Sequence, residues 1–187
     1  GGQTDTDSVV VQALGGPSQR VQDGLIALYD FSEGQGSQVR DTSGFGSPLN
    51  LVIAAPSRTD WVPGGLRLRQ NTTVRSVEPA TKVRNAVSAS DELTLEAWVA
   101  PDNLEQNGPA RIVTISGCSS LRNPTMGQGV HNSGSDRIEV RLGTSTCNRN
   151  GQPGSASPGG YVPAALTHLL LTRASDGSTA IYLDVQL

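Results

Sequence analysis

The sequence is poor in charged residues and lacks long apolar runs. Asp, Glu, Lys and Arg make up 17% of the 187 residues, below the roughly 25% of an average soluble domain. The net charge is −3 and the basic residues are scattered, which argues against nucleic acid because phosphate recognition needs a basic patch. No apolar run approaches the roughly 20 residues that span a bilayer. From these absences we expect no nucleic-acid partner and no membrane-spanning segment.

Cysteine is also scarce, with only Cys118 and Cys147 in the chain. They form no Cys-x-x-Cys motif and have no histidine at metal spacing, and a structural zinc site would need four ligands. A disulfide between them is the preferred interpretation, with two free thiols as the alternative. A disulfide would indicate an oxidising compartment, either extracellular or periplasmic.

Glycine and proline, in contrast, are abundant, with 22 and 11 residues, and most of them separate short apolar runs. Two-residue alternation bounded by turn residues is typical of strands, and we find no sustained helical periodicity. Asp176-Gly177, between the last two runs, is a strong hairpin signal. The predicted strands are "LIALYDF" (25–31), "LNLVI" (49–53), "GLRLR" (65–69), "LTLEAWV" (93–99), "RIVTI" (111–115), "RIEVRL" (137–142), "THLLLTR" (167–173) and "TAIYLDV" (179–185).

Many short strands with long loops predict an all-β fold, an antiparallel two-sheet β-sandwich of the jelly-roll kind. The domain is expected over residues 24–187. Residues 1–23 are interpreted as an N-terminal extension or linker, which includes the apolar stretch "VVVQAL" (9–14).

Catalytic constellations are weakly supported. A glycosidase needs two facing carboxylates, and the nearest candidates are Glu92 with Glu96 and Asp136 with Glu139. There is no Gly-x-Ser-x-Gly elbow for a serine hydrolase, and His168, in an apolar run, is better read as a hydrogen-bonded structural residue than as a base. The other histidine, His131, is placed in a loop among glycines that are read as a corner, "GQGVHNSG" (127–134). We therefore expect no enzyme.

Binding chemistry has a few candidates. "EGQGSQV" (33–39) lacks the third glycine and the following helix of a phosphate loop, so it is interpreted as a strand-to-strand corner. Asp41, in "RDTSG", could bind calcium with loop carbonyls or cap a local turn with Ser43. Trp61 is a loop anchor or a ligand-binding residue, whereas Trp98 is assigned to core packing. Asn71 opens an Asn-Thr-Thr glycosylation sequon.

The order of these segments resembles a known family. "GLIALYDFSEGQGSQVRDTSGFGSPLNL", "VPGGLRLR", "DELTLEAWVAPDN", "ARIVTISG", "MGQG", "IEVRLGT" and "THLLLTRASDGSTAIYLD" are similar to successive strands of bacterial laminin-G-like (LamG) jelly-roll domains, in the concanavalin A-like lectin/glucanase superfamily. The resemblance covers about residues 24–184. It implies a non-catalytic sandwich in secreted or surface proteins that binds carbohydrate or protein. It also implies that calcium, where present, sits near the edge of the sandwich, and Asp41 is the position carried over.

The chain departs from the family pattern after "DVQL", where the family continues with one or more strands. The last strand or strands are therefore expected to be missing from the sandwich, or supplied by another segment such as "VVVQAL", because an open sheet edge favours pairing with another chain. The preferred function is a secreted or cell-surface binding module for carbohydrate or protein. The alternatives are an assembly subunit of an extracellular filament or larger surface complex, which would self-associate through the open edge, and a degenerate glycoside hydrolase.

Overall fold

The structure is a computed structural model and describes residues 9–10, 21–105, 108–118, 121–130, 134–143, 148–160 and 164–184. The chain divides between Ser90 and Asp91 into two compact units, which we describe separately. The sandwich unit runs from Asp91 onward and includes Val9 and Val10, and the corner unit runs from Gln19 to Ser90. The prediction of one domain over 24–187 stays a prediction.

The sandwich unit contains two four-stranded sheets. In chain order its strands are β1 (Val9–Val10), β7 (Leu93–Val99), β8 (Ala110–Cys118), β9 (Leu121–Val130), β10 (Gly134–Arg141), β11 (Ser155–Ala156), β12 (Thr167–Arg173) and β13 (Thr179–Asp184). One sheet has the order β1-β13-β12-β7 and the other β11-β10-β9-β8. All neighbours are antiparallel except β1 and β13, which run parallel at Val9 with Ile181 and Val10 with Tyr182.

The core of this unit lies between the two sheets. Met126, Ile138 and Val140 project from one sheet and pack against four buried aliphatic side chains of the other, which are Leu169, Leu171, Ile181 and Leu183. Leu95, Ala97 and Val99 of β7 add their partly buried faces. Two sheets that bury one face each against the other form a β-sandwich, so the all-β sandwich prediction is confirmed.

The corner unit has smaller sheets and one helix. Its strands are β2 (Gln38–Val39), β3 (Leu51–Ile53), β4 (Thr59–Val62), β5 (Gly65–Leu68) and β6 (Val74–Ser76), and its helix is α1 (Thr81–Ser90), with a 3-10 turn at Pro56–Arg58. The order β2-β3-β6 forms a three-stranded antiparallel sheet, and β4 and β5 form a hairpin. Pro63 and Gly64 make its two-residue turn, where Gly64 has a φ of 69° that glycine adopts without steric cost.

Several strand predictions are confirmed, notably 93–99, 167–173 and the hairpin at Gly177, whose φ is 89°. Three expectations are wrong. Residues 25–31, predicted as a strand, form none. Residues 81–90 form the helix α1, although the sequence shows no sustained helical periodicity. The glycines of "MGQGV", predicted to form a corner, lie inside the ten-residue strand β9. In the part of the chain that the structure describes, no helix is long and apolar enough to cross a membrane.

The predictions about the chain ends are only partly covered. Of "VVVQAL", only Val9 and Val10 are described, as β1 beside β13. The expected gap in the sandwich concerns residues beyond Asp184, which lie outside the described residues, so it stays a prediction.

Candidate functional site

Asp41 is the centre of the corner unit. Its side chain is fully buried. Oδ1 accepts hydrogen bonds from the backbone N–H groups of Leu28 (3.2 Å) and Ser43 (3.0 Å), and Oδ2 accepts one from the N–H of Leu49 (2.9 Å). The bond to Ser43 spans two residues, as in an Asx turn. Asp41 therefore ties together three segments of the corner unit.

Lys82 completes the environment of Asp41. Its Nζ lies 2.5 Å from Oδ2 of Asp41 and also donates to the carbonyl of Phe45 (2.8 Å) and to Oγ of Ser43 (3.4 Å). Burial would by itself raise the pKa of Asp41, but the bond from Lys82, followed by those from Leu49 and Ser43, holds that pKa well below its ordinary value. Each carboxylate oxygen has two donors, so calcium at Asp41 would first have to displace the ammonium group. The calcium prediction stays a prediction.

Helix α1 explains how Lys82 reaches this position. Val83, Ala86 and Val87 are partly buried and recur at helical spacing with Lys82. Sequence reasoning missed the partnership, although Lys82 is the only lysine in the chain, because 41 residues separate it from Asp41.

The segment before Asp41 is held by several side-chain hydrogen bonds and by a backbone bond from the N–H of Thr42 to the carbonyl of Leu28 at 2.9 Å. Besides Leu28, whose N–H is bonded to Asp41, Tyr29 donates its hydroxyl to the carbonyl of Leu49 at 2.6 Å, and Ser43 donates to the carbonyl of Ile26. Burial, and then the charge of Asp41, raises the pKa of Tyr29. The bonds to the N–H of Leu28 and the carbonyl of Ile26 occupy backbone groups that a strand ladder would otherwise use.

The acid–glycine segment, residues 33–39, ends in the short strand β2, and the next element after it is the strand β3, not a helix. Gly34 and Gly36 have φ values of 68° and 87°, so the glycine turn is present, but residues 25–31 before it form no strand and it is not the expected strand-to-strand corner. Trp61 donates its indole N–H to the carbonyl of Gly36 at 2.9 Å, which makes it a loop anchor, and its role in ligand binding stays a prediction. An open cleft of about 550 Å³ is lined by Glu33, Gln35, Gly36, Ser37, Gln38 and Arg40.

The remaining predicted sites are placed as follows. Asn71 is exposed between β5 and β6, where glycosylation would be sterically accessible, and its carbonyl accepts a bond from Arg58. Cys118 ends β8 and is exposed. Cys147 and His131 lie outside the described residues, so the disulfide and the role of His131 stay predictions.

One outer face of the sandwich unit carries an exposed aromatic group. On the sheet that contains β7, β12 and β13, the side chains opposite the core form two cross-strand rows, Trp98 with His168 and Glu96 with Leu170 and Tyr182. Trp98 is 43% exposed, so its assignment to core packing was wrong. We call the surface made by these residues the aromatic face.

The rings on this face are held in place. The rings of Trp98 and His168 stack with centroids 4.5 Å apart and planes 16° apart. Nε2 of the buried His168 lies 3.1 Å from Oε1 of Glu96, whose side chain is one-third exposed. The prediction that His168 is a hydrogen-bonded structural residue fits this geometry. The face therefore combines a fixed, open indole with a carboxylate beside it.

Three of the four carboxylates predicted as glycosidase candidates contact other groups, not one another, in the contacts that the structure describes. Glu139 is buried and bonded through both oxygens to Arg141, at 2.8 and 3.2 Å. Asp136 accepts the N–H of Gly160, and Glu96 is next to His168. Each of these three carboxylates thus has its own separate partner.

Across the described ranges, no group of three or more His, Cys, Asp or Glu side chains converges as a metal centre requires. Comparisons of the chain with family models, with curated proteins and with solved structures found no match.

Proposed function

We propose that this chain is a non-catalytic module of a secreted or cell-surface protein and that it binds carbohydrate through the aromatic face. The observation that carries the proposal is the exposure of Trp98 on an ordered strand, with its ring held by His168. A flat indole can stack on the apolar C–H face of a sugar ring, and the adjacent carboxylate of Glu96 can accept hydrogen bonds from sugar hydroxyls.

Preorganisation supports this assignment. Binding normally costs side-chain ordering, of about 0.5–1.5 kcal/mol for each immobilised flexible side chain. The stack with His168 and the bond from His168 to Glu96 already fix the two side chains that a sugar would contact. Leu170 and Tyr182 extend the apolar area beside the indole, and an apolar patch with polar groups at its margin is typical of binding surfaces.

A glycan array followed by titration of any captured oligosaccharide tests the proposal. Trp98→Ala should weaken the affinity at least about thirtyfold, because truncation of a central aromatic residue in an interface costs about 2 kcal/mol or more. Phe45→Ala is the matched control, since Phe45 is 49% exposed but belongs to the corner unit. Absence of any glycan ligand, or equal affinity of Trp98→Ala and the wild type, would contradict the proposal.

A second candidate function is assembly through strand exchange. It is favoured by the pairing of β1 with β13, which shows that the N-terminal segment can add to this sheet edge at Ile181 and Tyr182. The same segment donated by a neighbouring copy would link molecules in series. Light scattering over a wide concentration range distinguishes the two functions, because assembly requires a rise in mass and a monomer at all concentrations excludes it.

A further inference from the structure

A cluster of arginines lies on the opposite side of the sandwich unit, on the outer face of the sheet β11-β10-β9-β8. Arg111 is level with Gly127 and Glu139, and Thr114 is level with Thr125 and Arg141. The Thr114 and Thr125 hydroxyls meet at 2.6 Å, so these rows point the same way. We call this surface, with Arg111, Arg122 and Arg141, the arginine face.

Arg122 joins this face through an irregularity in the ladder. It is paired with Ser116, and the register shifts between that pair and the next one, Thr114 with Thr125. The shift accommodates one extra residue on β9 and turns Arg122 towards the side of Thr125. A guanidinium N–H of Arg111 donates to Oγ of Ser116 at 3.3 Å. Three neighbouring strands therefore each contribute one arginine.

Two nitrogen atoms of Arg122 on the arginine face lack hydrogen-bond acceptors within the described ranges. Glu139 is already engaged by a two-pronged bond to Arg141, and both side chains are buried. Nε and NH1 of Arg122 are also shielded from water, and neither has an acceptor among the residues that the structure describes. Burial, and then the proximity of Arg141 and Arg111, lowers the pKa of Arg122, while Glu139 acts in the opposite direction. A buried donor without an acceptor is unfavourable.

The covering loop belongs to the same arrangement. A Cβ at Gly151 would lie 2.8 Å from Cβ of Arg141, and one at Gly154 would lie 3.0 Å from Oε1 of Glu139, so glycine allows the loop to lie directly on the ion pair. The backbone N–H of Arg122 donates to the carbonyl of Arg149, which belongs to the loop, and this bond fixes the loop to Arg122. Arg122 as a whole is only partly buried, but its Nε and NH1 are shielded from water, so a ligand has to displace part of the loop to reach them.

We propose that the arginine face binds an oxyanion, with Arg122 as the residue that contacts it. A sulfate, phosphate or carboxylate group supplies the acceptor atoms that Nε and NH1 of Arg122 lack among the described residues, and it places a negative charge beside the guanidinium groups. The oxyanion can be a free inorganic ion or the acidic group of a sugar acid. The site is independent of the proposed function, because the aromatic face lies on the other sheet.

Thermal unfolding with sulfate, glucuronate, glucose or chloride, at matched ionic strength for the salts, tests this proposal. Sulfate or glucuronate should raise the Tm by at least about 2 °C relative to chloride, because a ligand that binds only the folded state stabilises it. Glucose should have no such effect. A rise in Tm with both anions would show that the site binds small oxyanions in general. A rise with glucuronate alone would show that the site binds sugar acids.

Two variants and one control separate binding from structure. Arg122→Gln should abolish the anion-dependent rise, and the control Arg75→Gln, at an exposed position of β6, should keep it. Without anions, Arg122→Met should be at least as stable as the wild type, because it removes a partly buried charge that lacks acceptors. Trp98→Ala should respond to anions like the wild type. Equal responses in the wild type and Arg122→Gln, no response in the wild type, or a loss of stability in Arg122→Met without anions would overturn the proposal.

Discussion

Replacement of Asp41 by asparagine keeps the size of the side chain and removes its charge. Oδ1 accepts bonds from the N–H groups of Leu28 and Ser43, and Oδ2 accepts bonds from the N–H of Leu49 and from Lys82. In either orientation, the amide NH₂ of an asparagine would face two donors. Two hydrogen bonds to a charged acceptor are then lost, at about 1.5–3 kcal/mol each. We therefore expect Asp41→Asn to lower the free energy of unfolding by about 3–6 kcal/mol.

The contribution of Lys82 should be smaller. In Lys82→Met, Asp41 would keep its three backbone donors and lose only the ammonium group, so we expect a loss of about 2–3 kcal/mol. The double variant should be less destabilised than the sum of the single variants by at least about 1 kcal/mol, because the two side chains form one interaction. The matched control is Asp60→Asn. Oδ2 of Asp60 lies 2.9 Å from Nε of Arg69 in the same unit, and both side chains are about half exposed. Because an exposed ion pair contributes little, Asp60→Asn should lower the free energy of unfolding by at most about 1 kcal/mol.

Urea unfolding, followed by tryptophan fluorescence and circular dichroism, measures these differences. Amine labelling with mass spectrometry gives a second readout, since Lys82 is the only lysine and its side chain is 12% exposed. Asp41→Asn should accelerate labelling at Lys82, whereas Asp60→Asn should not. If Asp41→Asn and Asp60→Asn cost the same, Asp41 does not hold the corner unit together.

The pH dependence follows from the lowered pKa of Asp41. The folded protein keeps this carboxyl ionised at pH values where the unfolded chain, with an ordinary pKa near 3.9, already binds a proton. The stabilisation by Asp41 should therefore be complete above about pH 5 and decrease as the pH falls. The difference in unfolding free energy between the wild type and Asp41→Asn should shrink from pH 5 to pH 3. A constant difference over this range would refute the assignment of the low pKa.

Two further predictions concern the sandwich unit. Gly127→Ala should destabilise it by about 1–3 kcal/mol, because a Cβ there would lie 2.7 Å from the carbonyl oxygen of Ala110. Gly143→Ala, whose Cβ would come no closer than 3.4 Å to any neighbouring atom, should be tolerated in the same urea assay. If Cys118 and Cys147 form a disulfide, alkylation of the unfolded, non-reduced protein should modify neither cysteine, whereas modification of both would support free thiols.

The strands that could be predicted from the sequence are those in which apolar residues recur at every second position, because one face of each strand packs against the core and the other does not. In "LTLEAWV" and "THLLLTR" every second residue faces the core, so the bounds 93–99 and 167–173 are confirmed. Strand β9 could not be recognised in this way, because Gly127 is required by the close approach of β8 rather than by a turn. Helix α1 has only three apolar residues on its partly buried side, too few to establish a helical period.

The candidate sites were predicted less well, for a related physical reason. Alternation assigned Trp98 to the side opposite Leu95, Ala97 and Val99, but the chemistry of a tryptophan suggested the core, and only the fold shows which side is covered. Local motifs located Asp41 and Ser43 correctly, because an Asx turn is encoded within three residues. The partner of Asp41 is contributed by a helix 41 residues away, and no local pattern encodes such a contact. A local motif can therefore locate a carboxylate such as Asp41, but only the fold shows that the side chain of Lys82 lies beside it.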